Sequence, residues 1–270
     1  MIISRSGENN YNNLHLHKDA AMIVNTTPVG MYPNALVSPV NLDLFPQLEG
    51  VLDIIYNPTR TRLLLDAAKR NIPCENGLWM LVAQAKEAAE WFLNTAFCDD
   101  VIPDIYHKMC RQMENIVLIG MPGCGKSTIG QLLADKLGRT FVDTDNEIEK
   151  AVNMTIPEIF AKKGEAAFRK LEAEILAKFG QKSKLVISTG GGCITRSENY
   201  NALRQNGTIY WIQRDISSLS TEGRPLSLKG DIQEMYRIRK PLYEAFADET
   251  IDNNGNIQKA VDEIMRGHTL

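Results

Sequence analysis

Aromatic residues make up only 7% of these 270 residues, there are four histidines and five cysteines, and no apolar run approaches membrane-spanning length. A spanning helix needs roughly 20 successive apolar residues, so no such segment is expected. The first residues lack a charged stretch followed by an apolar one, which argues against a secretory leader. Cys74, Cys98, Cys110, Cys124 and Cys193 are odd in number and form no C-x-x-C pair. With His15, His17, His107 and His268 scattered, a zinc site is not expected, and His15-x-His17 reads as a polar turn or strand end. The thiols are expected to be reduced, as in the cytosol. An excess of positive charge is also lacking, with 30 basic against 33 acidic residues. The net charge is −3, and division at residue 110 gives −4 before and +1 after. Neither part has the basic excess that binding nucleic acid through its phosphates requires. No repeats or low-complexity tracts occur. What remains is the composition of a soluble cytoplasmic protein, 44% apolar and long enough for one large or two modest domains.

Against that background one stretch stands out. Gly120-Met121-Pro122-Gly123-Cys124-Gly125-Lys126-Ser127-Thr128 follows the apolar run Ile116-Val117-Leu118-Ile119 and precedes Ile129, Leu132, Leu133 and Leu137 at helical spacing. Strand, glycine loop and helix in that order, with G-x-x-x-x-G-K-[ST] spacing, form a phosphate cradle in which backbone N–H groups and a helix N-terminus face the anion. Lys126 is expected to reach the terminal phosphates and Ser127 to ligate magnesium. Cys124 lies by a helix N-terminus, which lowers a thiol pKa; redox inhibition is one reading, and a small residue in a tolerant position is the other.

Downstream the pattern is α/β. Leu137-Gly138 ends the helix. Thr140-Phe141-Val142-Asp143-Thr144-Asp145 reads as a strand, with Asp143 and Asp145 on one face if the strand persists. Thr155-x-x-Glu158 opens a helix that Gly164 terminates. The next helix buries Phe168, Leu171, Ile175 and Phe179, with Arg169 beside the stripe. Leu185-Val186-Ile187-Ser188 reads as a buried parallel strand running into Gly190-Gly191-Gly192, where backbone can approach a ligand at the sheet's carboxyl edge. Thr208 to Ile212 is another strand, followed by Gln213-Arg214 and a polar stretch holding Arg224-Pro225-Leu226. Tyr236 to Tyr243 is a helix with three cations interrupted by Pro241. A loop, Asp252 to Gly255, precedes a closing helix that Asn256 is placed to cap.

Residues 1–94 alternate short strands (Met22 to Asn25, Val51 to Tyr56) with helices (Leu63 to Arg70, Leu78 to Asn94), which suggests a parallel sheet. Residues 95–113, with Ile105, Met109 and Met113 at helical spacing, read as a terminal helix and linker. Asn25-Thr26-Thr27-Pro28-Val29-Gly30-Met31, Asp53 to Pro58 with Thr61, and Gly77 to Ala85 resemble signatures of the NADP-binding part of shikimate dehydrogenase. The resemblance aligns Ser4-Arg5-Ser6 with the segment meeting the 2′-phosphate of NADP, Gln84 with a shikimate contact, and Tyr56 with a tyrosine near the substrate. A G-x-G-x-x-G turn and that family's catalytic lysine and aspartate have no counterpart in this chain. The fragment is therefore expected to be inactive, since hydride transfer needs a held cofactor and a positioned acid/base. Its uncovered sheet edge leads to a further expectation: a longer reading frame upstream, or shielding by the rest of the chain or a partner.

Residues 114–270 resemble shikimate kinase, on the phosphate loop, Asp-Thr-Asp, Phe168-Arg169-Lys170-Leu171-Glu172, the glycine triplet, Arg224-Pro225-Leu226 and Arg239-Lys240-Pro241-Leu242-Tyr243 in that order. The expected fold is α/β, a P-loop NTPase-type parallel sheet with flanking helices, preceded by a partial Rossmann-like α/β domain. The resemblance implies ATP and shikimate as substrates and Mg²⁺ as the metal. Gly123, Cys124, Gly125, Lys126, Ser127, Thr128 and the lid residue Arg224 would bind nucleotide. Asp145, Arg169, Gly190, Gly191, Gly192 and Arg239 would bind shikimate, with Ser127 and Asp143 at the metal and Asp145, Lys126 and Arg224 catalytic. Arg214 is the substitute for a second lid arginine, because the stretch after Ile212 is short. The kinase part is expected to be monomeric. Open alternatives are another small-metabolite P-loop kinase such as a gluconate kinase, a non-catalytic nucleotide-binding docking module, and a bifunctional kinase and dehydrogenase, which the missing glycine turn disfavours.

Overall fold

The computed structural model describes residues 1–219 and 232–268. Contacts divide the chain into two compact units, Met1–Met109 and Cys110–Leu270. Each is built on a parallel sheet with helices in the crossovers.

In the first unit β1 (Met22–Asn25), β2 (Gly50–Asp53) and β3 (Cys74–Glu75) pair in parallel in the order β1-β2-β3. Helix α1 (Arg62–Ala68) begins at Thr61, whose hydroxyl accepts from the Leu64 N–H. Asn71, with φ 56°, turns the chain back after it. Helix α2 (Leu78–Leu93) ends on left-handed Asn94. Leu14, Leu42, Phe45, Val51, Leu63 and Leu64 form the core. The second strand is shorter than its apolar run suggests. Asp53 is buried, and its carboxylate accepts from Asn25 Nδ2 (3.0 Å), Thr61 Oγ1 (2.7 Å) and the Ile55 N–H (3.1 Å). Taking the Ile55 N–H out of the ladder turns the backbone after Asp53. Burial pushes the Asp53 carboxyl above its usual range, against these hydrogen bonds. Helix α3 (Val101–Met113) runs across the boundary between the units.

The second unit holds β4 (Asn115–Ile119), β5 (Thr140–Asp143), β6 (Leu185–Ser188), β7 (Gly207–Gln213) and β8 (Glu249–Asp252), in the order β5-β6-β4-β7-β8 with every pairing parallel. The helices are α4 (Lys126–Leu137), α5 (Thr144–Val152), α6 (Ile156–Gly180), α7 (Glu198–Arg204), α8 (Ile232–Phe246) and α9 (Ile257–Arg266). β4 and β6 are buried along their whole lengths, which explains why they read as unbroken apolar runs rather than alternating ones. Buried Asn115 fixes the entry to the central strand by donating to the Lys182 carbonyl (2.6 Å) and accepting from the Leu185 N–H (2.8 Å).

Helix ends follow the local signals. Gly138 closes α4 at φ 63°. Glu158 accepts from the N–H and hydroxyl of Thr155 at the start of α6, and Asn256 accepts from the Gln258 N–H at the start of α9. Gly164 (φ 79°, ψ 172°) breaks the helical path as expected, but helix resumes at once, so α6 is one bent element. Helix α8 continues through Pro241 rather than stopping there.

Candidate functional site

The sheet order puts β4 between β6 and β7, so the connection from β4 to β5 and that from β7 to β8 depart in opposite directions at the carboxyl edge, where open α/β sheets form a crevice. The loop after β4 occupies that point. Gly123 (φ 86°) and Gly125 (φ 101°) adopt left-handed backbone that glycine tolerates best. A Cβ on Gly120 would lie 2.6 Å from the Ile212 carbonyl oxygen, so the loop must start on glycine to seat against β7. Lys126 opens α4 and is buried; its Nζ donates to the carbonyls of Gly120 (2.9 Å) and Met121 (3.0 Å). Cys124 is fully buried with Sγ 3.8 Å from that ammonium. Ser127 and Thr128, on the first turn, are exposed.

The two aspartates arrive differently from the strand expectation. β5 ends at Asp143, which caps α5: its carboxylate accepts from the N–H groups of Asp145 (3.1 Å) and Asn146 (3.4 Å). Asp143 therefore occupies the cap and Asp145 the first helical turn, and strand alternation is not what brings them together. The Asp143 carboxylate also accepts from Ser127 Oγ at 2.8 Å, and Ser188 Oγ lies 3.3 Å from the same hydroxyl.

Arg169 projects from α6 into the crevice with 11% of its side chain exposed. It donates to Glu172 (2.9 Å) and Glu165 (3.1 Å). Burial works against its charge, but the two carboxylates outweigh burial and hold its pKa above the ordinary value. Glu172 is wholly buried, and burial pushes its carboxyl above the usual range despite Arg169. Among the described residues its Oε1 has no hydrogen-bond partner. Arg239, from α8, donates Nη1 to the Gly191 carbonyl at 3.1 Å.

The glycine triplet threads between these groups. A Cβ on Gly190 would sit 2.7 Å from Asp145 Oδ1 and 2.9 Å from Glu172 Oε1. One on Gly191 would sit 2.7 Å from Pro122 Cδ of the phosphate loop, and one on Gly192 would overlap the Arg169 guanidinium. The Gly190 N–H donates to Thr144 Oγ1 at 3.2 Å, tying the triplet to α5. Each glycine is thus needed for a named close approach.

A cavity of about 220 Å³ collects the result. Lys126, Ser127, Asp143, Asp145, Arg169, Gly190, Gly191, Gly192 and Arg239 line it, with Ile156, Phe160, Phe168 and Met235 as an apolar wall. Gly123, Cys124, Gly125 and Thr128 shape the loop and are not among its lining residues, nor is Arg214. Arg224 lies outside the described residues. Among the described residues no group of three or more His, Cys, Asp or Glu side chains forms a metal cage, and no helix is long and apolar enough to cross a membrane.

Sequence reasoning missed two supports of this site. Glu172 falls three residues after Arg169, a spacing that does put both on one helix face. Asn253, from the loop after β8, donates Nδ2 to the Cys124 carbonyl at 2.8 Å and fills the space a Gly125 side chain would need. No local signal reveals that contact, because its partner lies far along the chain. In the first unit Tyr56 lines a shallow pocket with Thr26, Thr27, Met31 and Tyr32, whereas Gln84 is not among its lining residues.

A family model described as shikimate kinase matches residues 122–268. A shikimate kinase of Persephonella marina is 42% identical over 161 residues, covering 57% of this chain and 98% of that protein. A solved shikimate kinase from Acinetobacter baumannii, in complex with shikimate, is 34% identical and covers 59% of this chain and 95% of that one, with a TM-score of 0.55. A shikimate dehydrogenase structure from Peptoclostridium difficile is 30% identical and covers 40% of this chain and 43% of its own, with a TM-score of 0.37.

Proposed function

The chain belongs to the shikimate kinase family, and from that premise we propose that its second unit transfers the γ-phosphoryl group of ATP to the 3-hydroxyl of shikimate, with both substrates held in the crevice at the end of β4. The observation that carries the reading is a single cavity lined by a phosphate loop on one side and by a carboxylate and two arginines on the other.

Phosphoryl transfer asks little covalent chemistry of a protein; it asks for an in-line hydroxyl and neutralised charge. The loop N–H groups and Lys126 hold the polyphosphate. Shikimate is a small carboxylate with three hydroxyls. Arg169 and Arg239 present forked donors suited to its carboxylate, and the apolar wall suits the face of its ring. Asp145 accepts the hydrogen bond from the attacking hydroxyl and takes its proton as the new O–P bond forms and the bond to ADP breaks. Arg224 is assigned to the transferring phosphoryl by the family pattern alone.

Ser127 Oγ and the Asp143 carboxylate, 2.8 Å apart beside the loop, are the hard oxygen donors Mg²⁺ prefers. With so few protein ligands, the remainder would come from water and the phosphates, and the ion would supply charge neutralisation at the β- and γ-oxygens. The first unit is proposed to carry no dehydrogenase activity, and the cytoplasm, where ATP is available, is the proposed location. One coupled assay tests the reading. ADP release that depends on shikimate, without NADP reduction, is expected; ADP release indifferent to shikimate, or equally strong with gluconate, would sink it.

A further inference from the structure

We propose that Tyr243 is a positioning residue for the acceptor: its hydroxyl fixes the Gly191 peptide and, through that carbonyl, the Arg239 guanidinium. The proposal rests on the shikimate kinase reading and adds to it a residue that does not line the cavity.

Tyr243 and Arg239 lie four residues apart on α8, hence on one face. Both donate to the same acceptor: the Tyr243 hydroxyl reaches the Gly191 carbonyl at 2.6 Å and Arg239 Nη1 reaches it at 3.1 Å. Using one donor on Gly191 leaves the rest of the Arg239 fork for a ligand carboxylate, and holding a long side chain in place beforehand reduces the entropy lost on binding. That benefit depends on the carbonyl being fixed. Gly191 is the middle of three glycines, the residue with the greatest backbone freedom. On its other side it packs against Pro122 of the phosphate loop. The Gly191 peptide therefore stands between the phosphate loop and the acceptor arginine, and its orientation affects the acceptor directly.

Tyr243 is itself immobilised. Its side chain is fully buried and stacks on Trp211 of β7, with ring centroids 5.6 Å apart and planes 16° from parallel. Burial drives the phenol pKa well above its ordinary value, so the hydroxyl remains a donor at any working pH. The sheet core thus reaches Gly191 through one rigid side chain. A purely structural tyrosine needs only its ring at this position; the positioning role needs the hydroxyl.

The test is Tyr243→Phe in the full chain, which keeps the stacked ring and deletes the donor. Loss of one hydrogen bond of this kind corresponds to a threefold to tenfold effect, on the order of magnitude general to such bonds. The shikimate Kd by calorimetry, and the shikimate KM, are expected to rise by that factor. The ATP KM and kcat should stay within about twofold and the melting temperature within a few degrees. In an Arg239→Lys background, where the fork is gone, the same change should add less than about twofold. An unchanged shikimate Kd overturns the proposal. So does equal weakening of both substrates with a lowered melting temperature, which is the signature of a structural role, and so does full additivity with Arg239→Lys. If the unaltered protein binds no shikimate, the functional reading fails and takes this proposal with it. If the unaltered protein phosphorylates shikimate and only the Tyr243→Phe result is negative, the functional reading stands.

Discussion

The two units share a parallel α/β plan and differ in how completely they use it. In the second, the central strand β4 has a neighbour on each side, and its five residues are all buried. In the first, three short strands leave Met22 and Val24 of β1 about half exposed, and Trp91, Phe92 and Leu93 at the end of α2 lie open at 88%, 89% and 64%. The first unit keeps a polar network around Asp53 and a small apolar core, enough to hold a fold. The second adds a crevice into which the end of β5 and helices α4, α5, α6 and α8 deliver charged groups. The difference teaches that a chemical site demands more than a stable sheet: strands on both sides of the loop that binds, and glycines wherever functional side chains crowd the backbone.

The largest expected effect tests the catalytic side of that contrast. Asp145→Asn should lower kcat by roughly 10²–10⁴, the usual contribution of a general base, while ATP affinity stays the same. Near-normal turnover would remove Asp145 from the proposed chemistry. Next, Gly192→Ala puts a methyl into the Arg169 guanidinium. Losing a charge-assisted contact to the acceptor should raise the shikimate KM by about 10–100-fold, with the ATP KM little changed. An unaffected KM would mean that Arg169 does not bind the acceptor.

A smaller effect is expected from pH. His268 is buried against Tyr210, 2.9 Å from its hydroxyl, and burial lowers its pKa from 6.5 to about 4. The folded state holds it neutral while the unfolded chain takes up a proton below about 6.5. Its contribution to stability is therefore intact above that pH and is lost progressively as pH falls toward 4. Thermal melts between pH 7 and 4 should show this decline, and His268→Gln should flatten it; an unchanged slope in the variant would refute the assignment. The smallest effect belongs to the first unit. Replacing Trp91 and Phe92 together with serine should leave kinase kinetics unchanged and alter stability by no more than about 0.5 kcal/mol per residue, as at exposed positions generally. A marked loss of shikimate turnover would show that the two units are not as separate in function as in architecture.

Much of the site was legible because its chemistry is written in local patterns. The loop from Gly120 to Thr128, the strand before it and the helix after it all follow from spacing and periodicity. The glycine triplet signalled close approach without saying to what; Pro122, Asp145, Glu172 and Arg169 are the answers. Asp143 and Asp145 were paired for the wrong reason, because a carboxylate that accepts its own downstream N–H groups competes with strand pairing, and the cap prevailed. Asn253 on Cys124 and Tyr243 on Gly191 were not legible at all. Such contacts are set by which strands become neighbours, and a single chain's periodicity does not encode that order.

The strand order has a consequence for biosynthesis as well. β4, which carries the phosphate loop, pairs Ile116 with Val186 on one side and with Thr208 on the other. As the chain leaves the ribosome, the loop emerges long before either flank exists, and closing those distant pairings is slow compared with forming local helices. A chain halted before Leu185 would carry the whole loop from Gly120 to Thr128 and still have neither neighbouring strand to hold it. The timing of competence is therefore governed by the two strands that flank β4 rather than by the loop itself.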